Sequence, residues 1–354
     1  MKSIFINCAI LLFFMPTGFG QDQCGNKAPK ELIHVTQEML RNPAMDDPLM
    51  VRLFVHICAN SDGTDAVITA DSARAALGFI ENFYESHGIC FILAGINQVN
   101  STDLMSVDDE DEGLLLQFLI PGCIDIFVHD QVFSDGEAFG GRSWDIPNTY
   151  LSIRDDHFNQ STDILAAHEL GHCLGLYHTH QGGGETVDRT GICANCLSAG
   201  DLLCDTPADP YEDGDLSNFM SGCTYTGNLF DDCSEEDYNP DVQNIMSYAP
   251  GSCWEYFSSD QGARMRAFLL NDSDLEECVS PSSVIFNPAT NTVVFAGWAI
   301  YTAHHEIIVT AENYEIVGSA HGFFGAPATT VLQHVHFGPS TGYVHITPRN
   351  PLCD

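Results

Sequence analysis

Eleven residues, from His168 to His178, hold three histidines and one glutamate at a spacing that one helix and its exit turn can bring together. His168 and His172 are four residues apart, so a helix places both imidazoles on one face, one turn above the other. Gly175 allows the chain to leave the helix in a left-handed conformation, which can turn His178 back toward the same point. Three converging imidazoles with one open position form the ligand set of a catalytic zinc site.

Glu169 directly follows the first histidine, where its carboxylate can lean toward a water molecule in the open position. A carboxylate in that place serves as the general base of a zinc hydrolase. The alternative interpretation is an amphipathic helix whose histidines are ordinary buried residues. The glycine and the third histidine at fixed spacing make the long motif much rarer by chance than the short H-E-x-x-H pattern, which favours the metal site.

Three stretches around and beyond the motif are similar to a known family. They are GLYHTHQGG over residues 175–183, GD at 200–201 followed by CDTPA at 204–208, and QNIMSY over 243–248. Together they resemble the pappalysin, or ulilysin-like, family of metzincin zinc metalloproteases. The similarity extends over about residues 50–270.

The resemblance implies roles for two residues downstream of the motif. Met246 matches the Met-turn, a tight turn that lies beneath the zinc without binding it. Tyr248 matches a tyrosine that reaches toward the metal in several metzincin families and can donate a hydrogen bond to a tetrahedral oxyanion. The resemblance also implies an α+β fold, with a metzincin-type catalytic domain of two subdomains. A twisted sheet and the zinc helix lie above, and a loop-rich half lies below.

Hydrophobic patterning predicts the elements of the upper subdomain. Leu49–Ile57 is an apolar, β-prone run and is expected to be a central strand. A helix is expected from an N-cap at Thr69 to about Ser86. The acidic run Asp108–Glu112 is expected to be a solvated loop. Further strands are predicted over Ile89–Gly95, Cys123–His129 and Tyr150–Ile153.

The zinc helix and the chain after it form the predicted lower half. Ser161 or Thr162 is expected to cap the zinc helix. The chain from Thr179 to about Val279 is rich in loops, cysteines and acidic residues. It ends in a predicted helix near Asp260–Leu270, which resembles the closing helix of the family.

Residues 280–354 differ in character, because charge falls and short β-branched runs alternate with Gly, Pro and Asn turns. This pattern predicts a small C-terminal all-β domain of β-sandwich type. His334 and His336 would share one strand face and could chelate a second metal. No carboxylate or cysteine accompanies them at ligand spacing, so ordinary half-buried strand positions are the preferred interpretation.

The N-terminus has the pattern of a secretory signal. Lys2 precedes an apolar run over residues 4–14, and small residues follow up to Gly20. Residues 1–20 are therefore predicted to be a signal peptide, and residues 21–46 a short pro-segment. This predicts a secreted, extracellular glycoprotein, since N-glycosylation sequons begin at Asn100, Asn159 and Asn271.

The charge balance excludes some partners. The chain has 12 Lys and Arg residues against 49 Asp and Glu residues, for a formal net charge of −37. Such a surface repels nucleic acid and anionic membranes. The predicted partners are protein or peptide substrates, and the predicted cofactor is zinc. No oligomeric state is predicted.

Fourteen cysteines indicate an oxidising compartment, in which they would pair. Loss of Cys8 with the signal peptide leaves an odd number, and Cys24 is a candidate for the odd thiol. Family zymogens have a similar Cys-Gly near the N-terminus, so the resemblance implies that Cys24 fills the fourth zinc position until the pro-segment is removed. A thiolate is a strong zinc ligand and would exclude water. The alternative is that Cys24 is in a disulfide and another cysteine is free.

The resemblance also implies two disulfides in the lower half. One would join Cys193 or Cys196 to Cys233, and the other would join Cys223 to Cys253. The C-x-x-C spacing of Cys193 and Cys196 also fits a structural zinc. In a secreted chain, disulfides are the favoured interpretation.

Two other residues lie where a metal ligand could be sought. Cys173 follows His172 on the helix and points about 100° away from it, so it is expected to be buried, and either free or bridged to the sheet. The resemblance implies calcium near Asp205, in the D-T-P segment, because hard cations bind carboxylates and related proteins hold calcium there. The alternative for Asp205 is a solvated acidic loop.

These features predict a secreted zinc-dependent endopeptidase that is made as a latent zymogen. The catalytic domain is expected over residues 47–279 and the β-rich domain over residues 280–354. One alternative is a catalytically inactive, zinc-containing adhesion or binding protein, which would commonly have lost Glu169. The other is a zinc hydrolase that acts on a non-peptide substrate, which the family resemblance disfavours.

Overall fold

The computed structural model describes residues 24–26, 33–36, 48–159 and 163–281, together with the backbone of strands between residues 283 and 348. The predicted signal peptide and most of the predicted pro-segment lie outside the described residues. The proposed domain boundaries stay predictions. Among the described residues, no helix is both long enough and apolar enough to cross a membrane.

Helices are short and alternate with strands along the chain. The α-helices in the described residues are Ala70–Glu81 (α1), Glu112–Leu115 (α2), Asp155–Phe158 (α3), Leu165–Cys173 (α4), Ser259–Asn271 (α5) and Ser273–Cys278 (α6). Helices of 3-10 type span Glu85–His87, Thr102–Leu104, Asp109–Asp111, Glu212–Phe219 and Gly251–Cys253.

Among the described residues, ten strands precede the C-terminal region. They are Leu49–Ala59 (β1), Ile89–Asn100 (β2), Ser106–Val107 (β3), Ile124–His129 (β4), Gln131–Ser134 (β5), Glu137–Phe139 (β6), Gly141–Ser143 (β7), Tyr150–Arg154 (β8), Phe230–Asp231 (β9) and Glu236–Asp237 (β10). The main sheet has the order β2-β1-β4-β8-β7. Its first four strands are parallel, and β7 is an antiparallel edge strand. Strands β3, β5 and β6 form a second sheet, and β9 pairs with β10.

The predicted central strand is confirmed as β1, which lies between β2 and β4. Nine of its eleven residues are buried, as expected for a parallel strand that is covered on both faces. Strand β2 is longer than predicted and continues to Asn100. Its last five residues are more polar and partly exposed, yet they pair with β1 from Val55 to Ala59.

Helix α1 begins as predicted and ends early. The Thr69 side chain accepts a hydrogen bond from the backbone N–H of Ser72 at 3.1 Å, so the predicted N-cap is confirmed. The helix ends at Glu81 rather than near Ser86. The Asn82 side-chain amide donates to two carbonyls of the last turn, which offers the chain an alternative to further helix.

The expectation of a solvated loop over Asp108–Glu112 is wrong. This acidic run forms a 3-10 helix with a capping box between Asp108 and Asp111. Arg142 is 5% exposed, and its guanidinium donates to Asp109 Oδ1 at 2.5 Å. A nearly buried cation needs a carboxylate partner, so it draws the run against the sheet.

The predicted caps of the zinc helix, Ser161 or Thr162, are also wrong, because the helix begins later in the chain. These two residues lie outside the described residues. Helix α4 begins at Leu165, whose N–H donates to Asp163 Oδ1 at 2.9 Å. The carboxylate of Asp163 therefore satisfies the free helix end that Ser161 or Thr162 was expected to satisfy. The predicted closing helix is confirmed as α5, which has a capping box between Ser258 and Gln261.

The C-terminal region is all-β, but its strands are parallel rather than paired as a sandwich. They are Ser283–Phe286 (β11), Thr292–Val294 (β12), Trp298–Thr302 (β13), Glu306–Val309 (β14), Tyr314–Gly318 (β15), His321–Ala326 (β16), Ala328–Leu332 (β17), Val335–Pro339 (β18) and Val344–Pro348 (β19). Every third strand pairs in parallel, forming three separate sheets. The pattern is that of a parallel β-solenoid with a repeat of about 22 residues, which strand spacing alone did not indicate.

Buried contacts join the sheet, α1, α4 and the lower half in one hydrophobic core. Tyr84 lies at its centre and is fully buried. Its ring contacts Phe91 of β2 and Phe257 of the lower half, and its hydroxyl donates to the carbonyl of Ala167 in α4 at 2.6 Å. Tyr84 therefore fixes the position of α4 against both halves.

Three carboxyl groups of the described lower half are almost completely buried. Glu185, Asp201 and Asp209 are each 1% exposed. Burial raises the pKa of Glu185 to about 8, that of Asp201 to about 7 and that of Asp209 to about 6. Within the described residues, one oxygen each of Glu185 and Asp201 has no hydrogen-bond partner.

Tyr84→Phe is expected to lower the free energy of unfolding by about 1–2 kcal/mol, because it removes a buried hydrogen bond to α4. Tyr256→Phe is the matched control, since that hydroxyl bonds to Asp241 at an exposed position and its loss should change stability by less than about 0.5 kcal/mol. Denaturant unfolding measures both. Equal effects of the two substitutions would show that the Tyr84 hydroxyl does not stabilise the core.

Glu185→Gln is expected to reduce the loss of stability at rising pH. The pKa of Glu185 is about 8 in the fold against an ordinary 4.5, so the folded chain binds the extra proton between these values. Stability therefore falls as pH rises through this window, by up to about 1.4 kcal/mol per pH unit from this group. Denaturant unfolding at several pH values from 5 to 8 tests this. Parallel curves for parent and variant would contradict it, and the exposed Glu255→Gln should leave the slope unchanged.

Candidate metal centre

Helix α4 and the turn that follows it bring three histidines together. The Nε2 atoms of His168 and His172 are 3.1 Å apart, as the one-turn spacing predicts. The Nε2 atom of His178 lies 3.2 Å from that of His168 and 3.0 Å from that of His172. All three rings are buried, with at most 2% exposure.

Gly175 makes this convergence possible. Its φ of +88° lies in the left-handed region, and a Cβ added there would come within 2.2 Å of the Phe268 ring in α5. No other residue fits both conditions. Helix α4 ends two residues before Gly175, and the turn directs His178 back toward the helix.

Each imidazole is held by a hydrogen bond at its other nitrogen. Nδ1 of His168 donates to the Ile245 carbonyl at 2.6 Å, and Nδ1 of His172 donates to the Leu176 carbonyl at 2.8 Å. Nδ1 of His178 donates to Gln181 Oε1 at 3.1 Å. These acceptors require a proton on Nδ1, which leaves the lone pair of every Nε2 atom facing the common point.

The donor set fits a zinc ion. Burial lowers the pKa of His168 to about 4 and holds the pKa values of His172 and His178 well below the ordinary 6.5, so all three rings are neutral. Nitrogens bound to tetrahedral zinc at 2.0–2.1 Å would be about 3.3 Å apart, close to the separations seen. Three unshared lone pairs at this distance repel one another unless a cation lies between them.

Glu169 lies beside the histidines and is fully buried. Its Oε2 atom accepts hydrogen bonds from the backbone N–H of Ser143 in β7 and from the side chain of Asn26, both at 3.1 Å. Burial raises its pKa to about 8. Its Oε1 atom has no partner within the described residues, so one oxygen remains available for a proton.

Cys24 completes the cluster from the N-terminal segment. Its Sγ atom lies 3.4 Å from His178 Nε2 and 3.7 Å from His172 Nε2. The backbone of the segment pairs with the edge strand β7, where the N–H of Gly25 donates to the Gly141 carbonyl at 2.8 Å. Within the described residues, Cys24 and the three histidines are the one group of three or more potential ligands that meets at a point.

The predicted Met-turn lies beneath the helix. Met246 is fully buried, and its sulfur would be 3.0 Å from a Cβ placed at Gly171 of α4. Its carbonyl accepts from the N–H of Thr179 at 3.1 Å, next to His178. The Tyr248 ring lies 4.4 Å from the His178 ring, centroid to centroid.

Trp254 and Gln181 are among the site residues that the sequence analysis missed. Trp254 stacks on His168, with ring centroids 4.8 Å apart and planes 12° from parallel. Gln181 holds His178, as described above. Gln181 lies inside the stretch 175–183, whose resemblance to the family was an available signal. Trp254 follows Cys253 and had no local pattern to indicate its contact.

The cysteines form the expected bridges in the lower half. The disulfides in the described residues join Cys193 to Cys233, Cys196 to Cys204 and Cys223 to Cys253, and Cys90 is also disulfide-bonded. The alternative of a structural zinc at Cys193 and Cys196 is therefore wrong.

Free thiols are more numerous than cysteine counting predicted. Cys24 is free, but Cys58, Cys123, Cys173 and Cys278 are free and buried as well. The expectation that the cysteines pair in an oxidising compartment is therefore wrong for Cys58, Cys123 and Cys278, whereas a free Cys173 is one of its two predicted alternatives. Cys173 faces the sheet, with its sulfur 3.4 Å from Ser143 Oγ, and it is not a ligand.

Asp205 has a structural position in place of the expected calcium site. Its carboxylate accepts from Ser258 Oγ at 2.9 Å and from the N–H of Asp260 at 2.7 Å, at the start of α5. An acid at a helix N-terminus is stabilised by the helix dipole. The expectation of bound calcium gains no support from these contacts.

Similarity to known proteins agrees with this chemistry. The family model described as pregnancy-associated plasma protein-A, the pappalysin family of peptidases, matches residues 146–270. An extracellular metalloprotease of Sordaria macrospora is 25% identical over 278 residues, which cover 70% of this chain and 87% of the relative. An extracellular metalloprotease of Pyricularia oryzae is 29% identical over 247 residues, which cover 64% of this chain and 77% of the relative.

Solved structures also match, at low identity. Mature mirolysin of Tannerella forsythia, in complex with a cleaved peptide, is 18% identical with a TM-score of 0.47, covering 66% of this chain and 96% of that one. A promirolysin mutant of the same organism is 16% identical with a TM-score of 0.49, covering 72% of this chain and 96% of that one. The family model spans the three histidines and Glu169, so the chain is similar to the pappalysin family of metalloproteases across its candidate metal centre.

Proposed function

We propose that the protein is a secreted zinc-dependent endopeptidase, of metzincin type, that is held latent by its N-terminal segment. The single observation that supports this best is the meeting of three neutral Nε2 atoms next to a buried carboxyl group. His168, His172 and His178 would hold the zinc. Bound zinc would acidify a water molecule and polarise the scissile carbonyl.

The residues around the centre suit peptide hydrolysis. The charge of a bound zinc would favour the ionised form of Glu169, which would take the proton of the attacking water on its free Oε1 atom and pass it to the leaving amine. The N–H of Ser143 donates to the other oxygen and so fixes the orientation of the carboxylate. The Tyr248 hydroxyl is proposed to donate a hydrogen bond to the developing oxyanion, since its ring packs on His178. Met246 shapes the floor beneath α4.

Latency would follow from how the N-terminal segment lies in the cleft. Cys24 places its sulfur at the fourth corner of the ligand set, where water must bind. The side-chain amide of Asn26 donates a hydrogen bond to Oε2 of Glu169. Gly25 uses the carbonyl of Gly141 on the edge strand β7, so an incoming peptide cannot pair there. One segment thus contacts the metal position, the carboxyl group of Glu169 and the substrate strand together.

The proposed organisation extends to the ends of the chain. We infer a signal peptide over residues 1–20, a pro-segment over 21–46, a catalytic domain over 47–279 and a β-rich domain over 280–354. The extracellular relatives and the disulfides of the lower half support secretion. Protein or peptide substrates follow from the peptidase family.

Glu169→Gln is expected to retain zinc and to lower the rate of peptide hydrolysis by about 10²–10⁴-fold, because it removes the general base without removing a ligand. Elemental analysis measures zinc, and a quenched fluorescent peptide library measures hydrolysis after removal of the N-terminal segment. Glu255→Gln, at an exposed position, is the matched control and should behave like the parent. Hydrolysis by Glu169→Gln at the parent rate would refute the assignment. If the zinc-loaded parent without its N-terminal segment cleaves no peptide, either with or without phenanthroline, the protein would be a binding protein instead.

Cys24→Ala is expected to make the uncleaved chain active, because the fourth position opens to water. Peptide hydrolysis by the full chain should rise at least about 100-fold, which corresponds to about 2.7 kcal/mol of docking free energy. Cys123→Ala removes another buried free thiol, which packs against Phe54 and Ala94, and should leave the full chain inactive. If the parent and Cys24→Ala chains have equal activity before cleavage, the segment does not cause latency.

A further inference from the structure

A second contact holds the N-terminal segment nine residues after Cys24. The N–H of Ile33 donates to the Tyr177 hydroxyl at 2.7 Å, and Nη2 of Arg264 donates to the Ile33 carbonyl at 2.8 Å. Both main-chain polar groups of one residue are thus bound by side chains. The Ile33 side chain itself is 43% exposed. The contact therefore recognises the backbone of residue 33 rather than its side chain.

The two receiving side chains are rigidly held. Arg264 is fully buried in α5, and its Nε atom donates to the Gly175 carbonyl at 2.6 Å. Its guanidinium lies over the Tyr177 ring, 4.6 Å from the centroid, and 5.2 Å from the Phe268 centroid. Tyr177 is 1% exposed. A donor and an acceptor fixed in this way form a site that is built before the segment docks.

Arg264 has more hydrogen-bonding capacity than its partners use. Within the described residues, its Nη1 atom is buried and has no hydrogen-bond partner. A buried guanidinium that lacks a partner is costly, and the Ile33 carbonyl satisfies a second nitrogen of the same group. Val35, two residues later, packs against the main hydrophobic core. Residues 33–35 are therefore bound by main-chain and apolar contacts together.

We propose that Tyr177 and Arg264 form a binding site for extended polypeptide main chain, and that its occupant is residue 33 of this chain's own N-terminal segment. It is a second anchor, separate from Cys24. The inference rests on the proposed latency and adds a mechanism to it. While residue 33 is bound, Cys24 returns to the metal centre as an intramolecular event, at a high effective concentration. The anchor would thus favour the thiol-bound arrangement over one in which the fourth position is open.

The first test uses the full-length, zinc-loaded chain with Glu169→Gln, so that it cannot cut itself. Hydrogen–deuterium exchange is measured at the Ile33 amide, with and without Tyr177→Phe. The Phe variant keeps the ring beneath Arg264 and removes the acceptor, so exchange should become roughly fivefold faster or more. An unchanged exchange rate would overturn the main-chain site, whatever Cys24 does.

The second test links this anchor to Cys24. Alkylation of Cys24 is followed by peptide mapping in the same background. Ile33→Pro removes the N–H and should raise the alkylation rate roughly fivefold, whereas Ile33→Ala keeps the N–H and should leave the rate at the parent value. Equal rates for Pro, Ala and parent would overturn the second anchor, and equal acceleration by Pro and Ala would overturn main-chain recognition. If Cys24 reacts at the rate of an unprotected thiol in the parent, the proposed latency fails, and the exchange test still decides the binding site.

Discussion

The meeting of three buried imidazole nitrogens within 3.0–3.2 Å is the constraint on which the surrounding structure depends. Neutral rings at this distance repel one another through their lone pairs. The rest of the protein must therefore offset both this repulsion and the free-energy cost of burying three polar rings. The glycine turn at Gly175 sets the direction of the third ring, and hydrogen bonds at Nδ1 set the orientation of all three. Packing of α4 on the sheet, through Tyr84, fixes the first two in space.

The edge of the main sheet links this centre to its proposed latency. Strand β7 supplies the N–H that holds Glu169 and the carbonyl that holds Gly25. An edge strand has unpaired backbone groups, so it binds whichever extended segment reaches it first. A segment tethered to the same chain has that advantage over a free peptide. The proposed second anchor at Arg264 strengthens this advantage. The same arginine holds both the Ile33 carbonyl and the Gly175 carbonyl in the turn before His178.

Sequence reasoning predicted the parts of the fold and site that local spacing determines. The one-turn spacing of His168 and His172 and the cap at Thr69 each depend on residues within a few positions. The failures arose where a distant partner decides the outcome. Asp109 forms a capped turn because the buried Arg142 approaches from β7, and Trp254 reaches His168 across the lower half. The solenoid repeat was missed because parallel pairing between strands about 22 residues apart has no signal in a single short run.

The three histidines proposed as ligands differ in what holds them, and this has a consequence for how the centre can vary. His168 and His172 bond to main-chain carbonyls, which any residue at 245 or 176 would supply. The side chains there can therefore change for packing without turning the rings. His178 depends on the side-chain oxygen of Gln181. A carboxylate in that place would make the ring a stronger electron donor, so position 181 is where one substitution could tune the Lewis acidity of the metal while leaving the ligand set intact.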